Sequence, residues 1–203
     1  MRSPVMQEAF VVKPVSHLDS YRRHTRAEAP PVPDLGDPWE ARLVRPDGPD
    51  LHLVHRWNQA PHVAAFWRRA WTVQQWERRL GEHLAGDDVR PLLVGWHGRP
   101  VIYAELYRAA RDALAQCYPA RPHDLGLNLA VGELALTDRG LVRSLLPRLT
   151  DALFEADPHC TRVVVEPDVR DVRAIRSFEA GGFVAADEIM LSGKLALLMV
   201  CKR

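Results

Sequence analysis

The stretch from Asn128 to Phe183 constrains this chain more than any other part. It reads as a strand, a basic loop with one glycine, a helix, a second strand ending in Glu166-Pro167-Asp168, and a helix closing on Gly181-Gly182-Phe183. Within it Arg162 to Val165 is a β-branched run, the pattern of a strand covered on both faces. Strands alternating with helices in this order call for an α/β fold. The stretch also offers a docking loop for a phosphate-bearing cofactor and a carboxylate at the end of a buried strand, which together suggest a transferase.

Composition narrows the setting. With 203 residues, 47% of them hydrophobic, the chain is long enough for one sizeable core and short for two. Residues 1–38 differ from the rest: Pro30, Pro31, Pro33 and Pro38 deny the backbone regular hydrogen bonding, so they read as an extension or strap ahead of a single domain over 39–203. A short strand over Met6 to Val15 is the one element expected there. Twenty-seven basic against 26 acidic residues give a net charge of +1, which speaks against nucleic acid as a partner. No run of 18 apolar residues and no leader pattern occurs, so no membrane partner and a cytoplasmic location are expected. Cys117, Cys160 and Cys201 form no CxxC pair, and His52, His55 and His62 lack a carboxylate or cysteine partner at ligand spacing. No metal is expected, and oligomeric state, a homodimer included, is left open.

Along the domain, Trp39 to Val44 alternates as an edge strand. Asp50 caps a short helix with Leu51, Val54 and Trp57 on its apolar face, and a second helix after Pro61 carries Val63, Phe66 and Trp67. Thr72 caps a third with Trp76, Leu80 and Leu84 in line. Strands over 91–96 and 100–107 flank a turn at His97-Gly98-Arg99. Leu125 to Leu136 reads as one long strand, with Gly126 and Gly132 marking a bulge or a close approach. Helices over 140–156, with Pro147 as a kink, and 169–180 follow, then strands over 183–189 and 194–201. Trp57, Phe66, Trp67, Trp71 and Trp76, at helical spacing, read mostly as core.

The loop Thr137-Asp138-Arg139-Gly140-Leu141-Val142-Arg143 opens a helix. Unpaired N–H groups at a helix N-terminus suit a pyrophosphate, glycine permits close approach, and Arg139 and Arg143 add charge. A lone glycine there is more often the mark of a tight turn, and the order of elements around it is what favours the phosphate. Glu166 ends the most apolar strand and precedes a proline, which keeps its backbone extended and aims its side chain at the strand's edge. Asp168 and Asp171 suit capping of the following helix.

Asp171 to Phe183, DVRAIRSFEAGGF, is similar to the N-x-x-A-x-x-x-Y-E-x-x-G-F signature of the GNAT superfamily of acyl-CoA-dependent N-acyltransferases. The resemblance implies the GNAT fold, a mixed central sheet whose middle strands, here Leu125 to Leu136 and Arg162 to Val165, splay to admit the pantetheine of an acyl-CoA. His55-Arg56-Trp57-Asn58-Gln59-Ala60-Pro61-His62-Val63 through Trp67 resembles the H-R-W-M-N-x-P-x-V-x-x-F-W segment of siderophore-pathway acyltransferases, which act on the side-chain amine or hydroxylamine of lysine, ornithine or a diamine. Tyr103-Ala104-Glu105-Leu106-Tyr107 and Pro122 to Leu127 look like that group too, and aminoglycoside 6'-N-acetyltransferases share the frame.

On this mapping Glu166 is the general base or amine anchor. Asn128 stands where siderophore enzymes have histidine and aminoglycoside enzymes aspartate, so it can orient an acceptor but cannot take up a proton. The donor is assigned Leu136, Thr137, Arg139, Gly140, Leu141, Val142 and Arg143, with Asp171 and Phe178. The loop departs from Q/R-x-x-G-x-G/A, with Thr137 and Val142 at its first and last positions, and Phe178 replaces the tyrosine that protonates the leaving thiolate. The oxyanion falls to a backbone N–H near Glu133 to Leu136. Trp67, His62, Tyr103 and His123 are assigned to the acceptor, although a loop pair such as His123-Asp124 is more often an exposed turn. The resemblance therefore implies an N-acyltransferase using acetyl-CoA or another acyl-CoA on a small amine or hydroxylamine, the alternatives being an aminoglycoside acetyltransferase and a catalytically idle acyl-CoA-binding module.

Overall fold

A computed structural model describes residues 27–203 except Asp138 and Ser192; the expected strand over Met6–Val15 lies outside the described residues. Seven strands make one sheet: β1 (Trp39–Leu43), β2 (Val89–Trp96), β3 (Arg99–Arg108), β4 (Leu125–Val131), β5 (Arg162–Val165), β6 (Val184–Leu191) and β7 (Lys194–Lys202). Their order is β1-β2-β3-β4-β5-β7-β6. β4 and β5 are the parallel neighbours, and they pair only at Leu125↔Val163 and Gly126↔Val164. Beyond that point β4 runs on to Val131 beside β3 alone. The sheet is therefore open in its middle, where the β-branched strand ends.

Alternation assigns the two faces. Leu92, Val94, Ile102, Ala104 and Leu106 pack under α4 (Leu141–Ala156) and α5 (Val172–Ala180). α4 contributes Leu141, Leu145, Leu149 and Leu153, a four-residue repeat that puts one apolar stripe on the sheet. The intervening residues Leu93 and Tyr103 face Trp57 and Trp76 of the N-terminal helices α1 (Gly48–Gln59) and α3 (Val73–Ala85), between which lies α2 (Pro61–Trp67). Trp57 and Trp76 are core, as their spacing implies.

Local expectations fail in instructive places. The strand expected to reach Leu136 stops at Val131, and a 3₁₀ turn covers Leu134–Leu136. Gly132 marks a close approach there: a Cβ would fall 2.0 Å from the Trp57 ring. Asp50 does not cap α1, which starts at Gly48 after Asp47; Asp50 is buried and receives Arg42 and the Arg45 N–H instead. Asp171, not Asp168, caps α5 by accepting from Ala174 N at 3.0 Å. Asp168 is engaged by Arg170. The capping role of Thr72 is as expected, completed by Gln75 as a capping box. α4 runs through Pro147 without a break.

Candidate active site

The open end of the β4–β5 pair gathers polar and titratable side chains. On the helix α1–α3 side of the sheet, alternate residues of β3 are Tyr103, Glu105 and Tyr107, and Asn128 of β4 is in register with Glu105. Glu166 follows the last residue of β5 and is buried, 7% exposed. Its Oε2 accepts a 2.9 Å hydrogen bond from the Tyr107 hydroxyl, and its main-chain carbonyl accepts one from Lys194 Nζ at 2.8 Å. Among the described residues none donates to Oε1.

Two cavities meet here. One, of about 320 Å³, is lined by Asn128, Glu166, Tyr107, Asp112, Arg69 and Lys194 among others. The second, of about 500 Å³, is lined by His62, Val63, Val131, Thr137, Val142 and Ser177 among others, and so runs to the glycine loop. Phe66, Trp67, Leu129, Asp171, Ala174 and Phe178 line both. The shared wall makes them chambers of one site, the first polar around a carboxylate and the second ending at a helix N-terminus.

Burial pushes the Glu166 carboxyl above its ordinary range, against the pull of Lys194 and the Tyr107 hydrogen bond. The Tyr107 phenol is raised well above its usual value by burial and by the Glu166 charge, so it stays a donor. Glu105, 3% exposed, behaves oppositely. Burial would raise it, but Arg69 Nη1 at 2.7 Å from both oxygens holds its carboxyl below the usual range. Arg69 follows Arg68, whose left-handed φ of 51° ends α2 and turns the chain back towards the sheet. The Arg69 guanidinium rests 5.3 Å from the Trp67 ring centroid and 5.6 Å from that of Trp71.

The assigned donor residues divide. Gly140 has φ 69°, which only glycine adopts without strain, and α4 begins immediately after it with no side-chain cap among the described residues. Thr137 and Val142 reach the second cavity with Asp171 and Phe178. Leu141 is buried in the core under the helix and Leu136 is packed against it, whereas Arg139 and Arg143 are exposed. The oxyanion role expected of a backbone N–H near Glu133 to Leu136 loses Leu136 as a donor. The N–H of Leu136 donates to Glu133 O and that of Thr137 to Leu134 O, because the segment is a 3₁₀ turn and not a strand.

The assigned acceptor residues divide as well. Trp67 forms part of the shared wall, and His62 lines the second cavity while its Nε2 donates to Val131 O at 3.0 Å. Tyr103 is not brought to either cavity. It is fully buried between Trp67 and Trp76, with its hydroxyl on Glu105. His123 lies away from both, bonded to Asp157 and tilted against His159 at 5.0 Å. Arg69, Tyr107, Asp112 and Lys194 were missed as site residues; period-two alternation from Tyr103 could have found Tyr107, since residues 103, 105 and 107 of one strand share a face.

Residues 47–191 match the model of the Acetyltransferase (GNAT) domain family. The chain belongs to the GNAT family. It is thus an acyltransferase, and its sheet with divergent middle strands is the fold that the sequence resemblance implied. Lysine N-acyltransferase MbtK of Mycobacterium sp. (strain MCS) is 38% identical over 170 residues, covering 83% of this chain and 69% of that protein. N(6)-hydroxylysine O-acetyltransferase of Escherichia coli is 30% identical, covering 76% of this chain and 49% of that protein. Among solved structures, aminoglycoside acetyltransferase AAC(6')-Ib in complex with coenzyme A superposes with a TM-score of 0.73 at 25% identity, covering 81% of this chain and 95% of that one.

Proposed function

We propose that this acyltransferase moves an acyl group, acetyl in the simplest case, from acyl-CoA to the side-chain amine or hydroxylamine of a lysine, an ornithine or a diamine, as a step of siderophore assembly in the cytoplasm. The single observation that carries the reading is the Glu166 carboxylate. It is buried, it is raised in pKa, and it lines the polar chamber with one oxygen that accepts from no described residue. A carboxyl in that state can take the proton that an attacking amine must lose.

The donor fits the second chamber. From Leu127 to Val131 no described strand pairs with the β5-facing edge of β4, so amides of a pantetheine arm can complete it as a strand would. The arm then ends at the N-terminus of α4, where unpaired N–H groups and the helix dipole suit a diphosphate. The thioester carbonyl arrives at the wall shared by the chambers, beside Phe178. The acceptor nitrogen attacks the thioester carbon from the polar side, its proton passes to Glu166, and the CoA thiolate leaves. Asn128 orients the acceptor: its half-buried side chain lines the chamber, and among the described residues nothing hydrogen-bonds to its amide.

Asn128, at the position where aminoglycoside enzymes have aspartate, weighs against an aminoglycoside acceptor. The chamber around it is lined by Arg68, Arg69 and Lys194 and by Asp112, Glu166, Asp168 and Asp171, with Arg69 engaged by Glu105 and Asp168 by Arg170. An amide offers a polycation no charge where a carboxylate would. The test is thiol release with N-hydroxylysine, lysine, N-hydroxyornithine, cadaverine and kanamycin as acceptors and acetyl-, succinyl- and longer acyl-CoA as donors. Turnover with the first four and not with kanamycin is the expected result. Turnover with kanamycin alone would replace the acceptor reading, and a CoA-induced thermal shift without any turnover would point to an idle module.

A further inference from the structure

Tyr107 belongs to β3, yet its hydroxyl bonds a residue at the end of β5, two strands away. The intervening strand would block that path at any residue with a side chain. In register with Tyr107 on β4 stands Gly126, and a Cβ built there would lie 2.1 Å from Cε2 and Cζ of the tyrosine ring and 2.6 Å from its oxygen. The phenol therefore lies flat across β4, in the space that a side chain would fill. Gly126 pairs with Val164, the last β4–β5 pair before the strands part. The ring crosses at the root of the splay and reaches Glu166 at its mouth.

We propose that Tyr107 is a positioning residue for acyl transfer, its hydroxyl carried over Gly126 to hold the Glu166 carboxylate in the polar chamber, with Gly126 serving as the groove that lets it pass. The inference rests on the reading of Glu166 as the base. It explains two residue identities that the donor and acceptor alone do not require: a tyrosine at the end of the Tyr103-Glu105-Tyr107 row, and a glycine in a strand interior, where glycine weakens pairing. The hydrogen bond fixes Oε2, which leaves Oε1 as the atom that receives the acceptor's proton. It also favours the ionised carboxylate, the form a base must have before the reaction, and so opposes the effect of burial. No other described side chain donates to Glu166; Lys194 holds its main-chain carbonyl.

The test is the pH dependence of kcat at saturating acceptor, compared among wild type, Tyr107→Phe, Gly126→Ala, the double variant and Glu166→Gln. Tyr107→Phe keeps the ring and removes the donor. A hydrogen bond to a charged group is lost, so the acid limb of the profile moves to higher pH by about one unit and the rate on that limb falls by about tenfold. Gly126→Ala displaces the ring and moves the limb in the same direction, and adding it to Tyr107→Phe moves the limb no further, since there is one bond to lose. A purely structural role for Tyr107 would lower Tm or kcat and leave the limb in place. If Glu166→Gln is inactive while the limb of Tyr107→Phe coincides with that of wild type, the positioning role is wrong and the base assignment stands. If Glu166→Gln retains full activity, the base assignment itself fails.

Discussion

Glu105 and Glu166 face the same side of the sheet, both are almost wholly enclosed, and each accepts a tyrosine hydroxyl, yet their carboxyls are displaced in opposite directions. Burial raises both. For Glu105 the Arg69 guanidinium, 2.7 Å from both oxygens, outweighs it; for Glu166 Lys194 bonds the main-chain carbonyl and leaves the carboxylate to a neutral phenol. One carboxylate is thereby fixed as a charge and the other is left able to exchange a proton. Enclosure alone makes neither a base; the identity of the donor at the carboxylate decides.

The largest expected effect comes from removing the exchangeable carboxylate. Glu166→Gln should lower kcat by about 100- to 10,000-fold, the usual contribution of a general base. Thermal unfolding then separates chemistry from folding. Because the folded-state pKa of Glu166 is raised, wild type loses stability as pH climbs from the ordinary glutamate value, about 4.3, towards that raised value. The amide has no such loss, so Glu166→Gln should gain in Tm over wild type between pH 4 and pH 8. A constant difference in Tm across that range would mean that Glu166 is not raised.

Breaking the other side of the comparison should cost stability first. Arg69→Met leaves Glu105 buried without its cation, a loss of about 3–5 kcal/mol, or roughly 10 °C in Tm. Glu105 has a depressed folded pKa, so its contribution is present above the ordinary glutamate value and is lost as pH falls through the folded one. Adding Glu105→Gln to Arg69→Met should therefore restore most of the Tm at pH 7. Absence of rescue in differential scanning calorimetry would show that the pair is not what holds this region.

The smallest effect is expected at Asn128, cross-strand from Glu105. Asn128→Ala removes hydrogen-bonding groups and no charge, so kcat/KM for the acceptor should fall by about tenfold, mostly through KM. An equal fall in kcat at saturating acceptor would move Asn128 from orientation into the chemical step.

Local pattern made much of the frame legible. The β-branched run at Arg162 to Val165, the Thr72 cap, and the glycine that opens α4 are decided by neighbours within a few residues, and they stand as read. Failures fell where a local signal met a distant partner. Asp50 has the composition of a cap but is taken by Arg42, and the alternation from Leu125 continues past Val131 in sequence although the chain turns into a 3₁₀ helix. Tyr103 shares a motif with Tyr107, yet in the fold one lies under tryptophans and the other at the cavity.

The sequence by itself determined that the chain folds as a GNAT domain, that a helix opens after Gly140, and that a carboxylate ends the central strand. Tertiary structure alone decided which carboxylate keeps its charge, which tyrosine reaches Glu166, and that Gly126 is the gap it passes through. The physical reason is distance. Helix and strand patterns are set by contacts a few residues apart, whereas the partners that set these charges are 36 and 59 residues away along the chain and within 3 Å in space.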